Sequence, residues 1–358
     1  MATWTRLRRN LYYSHENYLS RKDFIVAENT GTLLISLDFE LIWGIRDIVE
    51  QDKAKDILVT RQVVSRLLKL FQEFEIHATW ATVGFLFFET RGELLSSLPS
   101  KVPEYINRTL SPYENLEVEV GADEERDMFH FAPSLIRQII ATPHQELATH
   151  TFSHYYCLED GQTPDVFEAD LQAALHAAKK YGREIRSMVF PRNQYNDQYL
   201  GVCKQHGIVA YRGTENLWFR QSSKRRMHRH WSRRIMRIAD AYINISGANA
   251  YPFPSRVDLP INLPSSRYLR PYSKKFSIFE PLKLSRITSS MSEAAQSGKI
   301  FHLWWHPEDF SNNTDENFEF LNEVLKHYAK LRDSLDMRSY TMQEIALQVI
   351  DLGANLDQ

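Results

Sequence analysis

The chain has 358 residues, 43% of them hydrophobic, enough to fill the core of one large barrel-like domain or of two ordinary ones. Its 43 basic and 45 acidic residues leave a formal net charge of -2, which excludes the global positive field that gathers nucleic acid. Two cysteines, Cys157 and Cys203, are too few for a disulfide framework, and no window reaches the roughly 18 uncharged apolar residues that a bilayer span requires.

In chain order, the N-terminal MATWTRLRRNLYYSHENYLSRKDF carries basic residues without the apolar run of an export leader, so the expected location is the cytoplasm. LLISL at 33–37 predicts a buried strand that delivers polar residues at its C-terminal end, where the active sites of parallel α/β folds lie. Apolar residues at helical spacing predict a helix over 54–71, and HATWATVGFLF at 77–87 reads as a strand running into a loop and helix. Residues 103–130 are polar and acidic, an insertion or lid. A helix over 133–142, a short strand at 146–150 and a helix over 164–181 follow. IRSMVFPRN suggests a strand whose end meets Pro191 and Arg192, and HGIVAYRG at 206–213 and KIFHLWWHP at 299–307 repeat the pattern.

Strand, helix and strand recur without a sequence repeat, which favours an α/β barrel over a sandwich. Residues 220–237 are strongly basic and could form a helix, and the prolines in 252–281 predict extended loops. From Glu316 to about Val349 one or two helices are expected to cover the barrel. With no low-complexity linker, 1–358 reads as a single domain. Its core runs over about 30–310, an insertion over about 214–298 and a helical cover over about 316–350.

Two histidines four residues apart, His150 and His154 in HTFSH, can converge on one cation, and a loop-to-helix geometry is expected for them. Asp38 and Glu40 point the same way on an extended backbone, and a cation relieves their repulsion. One carboxylate can then bind metal while the other takes a proton from water. Glu146 could orient a ligand imidazole. Arg192 could pair with the general base and lower its pKa. His306, at the end of FHLWWHP, could protonate a leaving nitrogen or oxygen. His302, earlier on the same face, reads as structural, and Glu308 either orients His306 or terminates the strand. Trp43, Trp80, Trp304 and Trp305 lie near these points. Aromatic faces suit the C–H surfaces of sugars, with core packing as the ordinary use, and Trp43 has the best claim to the pocket. Trp43, Trp80 and Asn193 form the expected substrate-contacting set.

In these motifs the chain resembles the polysaccharide deacetylase family, the NodB-homology carbohydrate esterases, whose members are distorted (β/α)7 barrels. SLDFE is similar to the family's TFDDG, in a variant branch with an Asp-x-Glu first motif; HTFSH matches H(S/T)xxH; FPRNQYN resembles RxPY; and WWHPE is similar to LLHD. The resemblance implies Asp38 as general base, Glu40 with His150 and His154 as ligands of a divalent metal, zinc by ligand type, Arg192 beside the base and His306 as the catalytic histidine. The implied activity is metal-dependent removal of an N-acyl group, acetyl or formyl, from an amino sugar. With no export leader, a sugar nucleotide or a lipid-linked glycan in surface polysaccharide or lipopolysaccharide biosynthesis is the expected substrate. The basic segment suggests an anionic partner, either a pyrophosphate or the inner face of the membrane, and not nucleic acid. A hydrolase of small amides or cyclic ureides and a non-catalytic glycan-binding relative are the alternatives.

Overall fold

The computed structural model describes residues 30–46, 54–215 and 231–356. The strands described are β1 (Thr32–Phe39), β2 (Ala78–Thr82), β3 (Gln145–Thr149), β4 (Ser187–Met188), β5 (Ala210–Tyr211), β6 (Tyr251–Pro252), β7 (Ile261–Asn262), β8 (Arg267–Tyr268), β9 (Lys299–Trp305) and β10 (Arg338–Tyr340). From β1 the sheet runs in parallel through β2, β3, β4 and β5 to β7, and on the other side of β1 lies β9, also parallel. β8 pairs in parallel with the free side of β9. Only four residues separate β7 from β8. Between them the N–H of Ser265 donates to the carbonyl of Gly213 at 3.0 Å, and that of Ser266 to the carbonyl of His302 at 2.8 Å. Residues 261–268 therefore act as one strand that changes partner halfway along and joins β5 to β9, and the fold is a distorted seven-stranded α/β barrel.

β1 shows why the chain takes this shape. All eight residues of TLLISLDF are buried, as expected of a strand covered on both faces. Leu33, Ile35, Leu37 and Phe39 pack outward into the main core, to which α1 (Ala54–Glu73) contributes Ile57, Val63, Val64, Leu67, Leu68 and Phe71 at helical spacing. Leu34, Ser36 and Asp38 alternate with them and line the interior. Further helices flank the sheet: α2 (Pro133–Ala141), α3 (Pro164–Lys179), α4 (Asp197–Gln205), α5 (Trp231–Tyr242), α6 (Glu280–Gln296) and α7 (Thr314–Leu335).

The last helix, α8 (Met342–Leu356), closes one end of the barrel. Its Met342, Ile345, Ala346 and Val349 pack on Leu34, Ala81, Ala148, Ile261 and Ile300 from the strands, while β10 pairs with the first residues of β1. The end where β1, β3, β5 and β9 finish is the end left for chemistry.

Two expectations are corrected. The stretch 214–298 is more than an insertion, because it supplies the strand that closes the barrel and the helix α6 that packs on β9. Its strands are two residues long, too short to register as alternation among the prolines. The loop after β3 also does not turn into helix at His154, since the next helix begins at Pro164. Residues 220–230 of the basic segment lie outside the described residues, and Arg233, Arg234 and Arg237 fall on α5. Among the described residues no helix is long and apolar enough to cross a membrane.

Candidate metal centre and active site

The backbone leaves extended geometry at Glu40 (φ -124°, ψ -32°), and Leu41 takes φ 49°. The Leu41 N–H donates to Glu308 Oε1 at 2.7 Å, which anchors the turn. Gly44 then passes so close that a Cβ there would overlap the Glu40 carboxylate. The result is that Glu40 and Asp38 both reach the barrel mouth.

Glu40 Oε1 lies 2.9 Å from Nε2 of His150 and 3.4 Å from Nε2 of His154. Both histidines are buried, and their ring centroids are 5.0 Å apart. His150 Nδ1 donates to the carbonyl of Val189 at 2.8 Å, so its proton is committed there and Nε2 presents a lone pair. That buried Nε2 makes no hydrogen bond. A lone pair facing a carboxylate oxygen is repulsive unless a cation stands between them, and two imidazole nitrogens with one carboxylate oxygen, all within 4.8 Å of one another, suit a divalent ion. Burial brings the His154 pKa down to about 4 against the opposing pull of Glu40, which keeps the ring neutral as a ligand must be. Burial alone would raise the Glu40 pKa, but His154 and His306 beside it hold it well below the usual carboxylate range.

The loop carrying both histidines is strained, with Thr151 at φ 65° and His154 at φ 56°. Asp170 of α3 restrains it: the carboxylate accepts from the N–H of Phe152 at 2.7 Å, from the N–H of Ser153 at 3.1 Å and from the Ser153 hydroxyl. Thr151 Oγ1 accepts from the Tyr155 N–H at 2.7 Å.

Asp38 ends the inward face of β1. Arg212, just past β5, grips it through two parallel bonds, Nη1 to Oδ1 at 2.7 Å and Nη2 to Oδ2 at 2.6 Å, with both side chains buried. Burial raises the Asp38 pKa, but Arg212, His150 and His306 outweigh it and lower it overall. His306 Nε2 faces both acids, 3.8 Å from Asp38 and 3.7 Å from Glu40, and its side chain is the partly open member of the group, 31% exposed. Its Nδ1 lies 3.2 Å from Asp309 Oδ2, which also accepts from the His306 backbone N–H at 3.0 Å. Burial would lower the imidazole, but Asp309, Glu40 and Asp38 together raise its pKa well above the ordinary value.

The structure thus brings Asp38, Glu40, His150, His154 and His306 to one mouth and redistributes several supporting roles. The expected partner of the base was Arg192; the guanidinium on Asp38 is Arg212's, while Arg192 lies over the Tyr156 ring, 4.0 Å from its centroid, and 4.0 Å from Glu159. Arg192 sits in a turn with φ 53°, which carries its side chain out of line with the strand. Tyr156 stands edge-on to His154, so Arg192 borders the metal ligands at one remove. Asn193 is half-buried in the same turn. Asp309, not Glu308, touches the His306 ring. Glu146 orients no imidazole: it points into the barrel floor, accepting from Thr79 Oγ1 at 2.7 Å and from the Gln343 N–H at 3.1 Å, with its pKa raised to about 7 by burial.

Trp43 and Trp80 are core residues. Trp43 is buried against Phe85 and donates to the carbonyl of His130, and Trp80 faces Phe39 and Phe71 outside the barrel and donates to Gln145. The aromatic residue at the mouth is Trp304, stacked under Arg212 at 4.2 Å and 5.7 Å from the His306 ring. His302 is structural, bonded to Ser36 Oγ at 2.8 Å, with its pKa brought down to about 3 by burial.

A family model described as polysaccharide deacetylase matches residues 52–211, a span that holds His150 and His154 and stops one residue before Arg212. Over that span, which is less than half of the chain, it resembles the polysaccharide deacetylase family. Among solved structures, the chain is similar to a candidate polysaccharide deacetylase from Mycobacterium smegmatis, with 14% identity, 90% of this chain and 91% of that one covered, and a TM-score of 0.57. It is also similar to Puue allantoinase, with 12% identity, 88% and 89% covered, and a TM-score of 0.50. At such identities the likeness is one of fold. No curated protein matches the chain.

Proposed function

We propose that the chain is a metal-dependent hydrolase that removes an N-acyl group, acetyl or formyl, from an amino sugar used to build a surface polysaccharide or lipopolysaccharide. The observation that carries this reading is the buried His150 Nε2, which has no hydrogen bond and faces Glu40 Oε1 at 2.9 Å, with an ionised Asp38 and a protonated His306 beside it. Glu40, His150 and His154 would hold the divalent ion, zinc by ligand type, which when bound polarises the acyl carbonyl and lowers the pKa of water.

The remaining work falls to the chain's own groups. Asp38 keeps lone pairs beyond the two that Arg212 occupies, and its lowered pKa keeps it ionised at neutral pH to accept the proton of the attacking water. The water oxygen bonds to the carbonyl carbon and the carbon–nitrogen bond breaks. His306, held charged by Asp309, gives its Nε2 proton to the departing amine. Trp304 of β9 stands beside His306, and Tyr156 of the loop after β3, with Arg192 of the loop after β4 over its ring, stands beside His154.

The test is incubation of the metal-loaded protein with N-acetylated and N-formylated sugar nucleotides and lipid-linked oligosaccharides, read by mass spectrometry. Loss of one acyl group, abolished by chelation and by Asp38→Asn, is expected. Glycan binding without release would make this a non-catalytic relative. Allantoin belongs in the same panel, because the likeness to an allantoinase over most of the chain supports a ureide hydrolase as the second reading.

A further inference from the structure

Large hydrophobic side chains stand out of the surface in two stretches. Ile243 (61% exposed) and Ile245 follow α5, while Ile278 (80% exposed), Phe279 and Leu282 lead into α6. The ring of Tyr242 lies 6.0 Å from those of Phe276 and Phe279, which draws the two stretches into one patch. Single exposed hydrophobic residues are ordinary, but five together on one surface are not.

Cations border the patch. Lys274 and Lys275 are exposed on the turn that carries Ile278 and Phe279. Glu280, which follows Phe279, is paired with Lys283 at 2.6 Å.

We infer that the patch formed by Ile243, Ile245, Ile278, Phe279 and Leu282 docks this protein on an anionic lipid bilayer. Apolar side chains bordered by cations match the boundary between acyl chains and anionic headgroups, where both find a favourable partner. Nucleic acid would satisfy the cations but offer nothing to an isoleucine 80% exposed.

The test is cosedimentation of the full chain with vesicles of phosphatidylcholine alone and of phosphatidylcholine mixed with phosphatidylglycerol. Binding to the anionic vesicles only, weakening as salt is raised, is expected. The double variant Ile278→Asp, Phe279→Asp should lose at least about tenfold in binding while its thermal melting stays that of the parent, because both positions are exposed. Lys274→Glu with Lys275→Glu should weaken binding without changing the melt. Retained binding in the Ile278, Phe279 variant overturns the inference, as does failure of the parent to bind anionic vesicles. So does a lipid-free dimer that this variant converts to monomer, which would make the patch a contact between copies. None of these readouts depends on catalysis.

Discussion

Gly44 and Glu40 share one volume: the space a side chain would fill at position 44 is taken by the Glu40 carboxylate. The glycine is therefore part of how the metal-ligand candidate reaches His150 and His154. Gly44→Ala is expected to push the carboxylate aside and lower metal affinity by about 10- to 100-fold while the barrel still folds. Metal content after dialysis, measured beside the circular dichroism spectrum, checks this, and full occupancy in the variant would remove Gly44 from the site.

Arg212 and Arg192 should separate cleanly. Arg212→Met leaves the buried Asp38 without its counter-ion, at a cost of about 3–5 kcal/mol in stability, and removes a charge that lowers the Asp38 pKa. The acid limb of the pH–rate profile should then move up in pH and turnover should fall. Arg192→Ala should leave that limb in place, since its guanidinium lies over Tyr156. An unmoved limb in Arg212→Met, or a moved one in Arg192→Ala, would return the base's partner to the loop after β4.

The basic limb belongs to His306, whose proton must be present for the leaving amine. Its raised pKa places that limb above the range of an ordinary imidazole, and Asp309 is the first of the carboxylates that raise it. Asp309→Asn should move the limb down in pH and leave the acid limb unchanged, whereas Glu308→Gln should disturb Glu40 through the Leu41 turn instead. Profiles of kcat for the two variants distinguish these effects.

Glu146 makes a prediction about folding. Its folded pKa of about 7 stands above the ordinary 4.5, so the folded state holds the proton more tightly. Stability from this group is complete below the unfolded value and declines as pH rises toward about 7, by about 3 kcal/mol in total. Glu146→Gln should abolish that decline and be relatively more stable than the parent at pH 8 than at pH 5. Denaturant unfolding of both proteins across this range measures the difference, and parallel curves would contradict it.

The sequence made the strand-end acids and histidines legible because strand alternation carries them to one end of the barrel, and four ordered motifs agreed. It hid the residues that hold them. Arg212 occupies the same kind of position as Arg192, at the end of a short apolar strand, and nothing local tells which guanidinium crosses the barrel to β1. Asp170 left a readable sign, an acid on the buried stripe of α3 with Phe167, Leu171 and Ala174, where a charge needs a buried partner. Trp43 and Trp80 were misleading for the opposite reason: each carries a polar N–H that a core carbonyl or amide can satisfy, so adjacency to the acids said nothing about the direction of the ring.

The partner exchange along 261–268 has a mechanical consequence. Two consecutive peptide units, at Ser265 and Ser266, fasten the strand just after Arg212 to the strand that leads to His306. The base's counter-ion and the proton donor are thus riveted at fixed separation across this part of the wall. A bulky glycan entering the mouth would have to gain its clearance from the loops after β2 and β4, leaving that rivet unstretched.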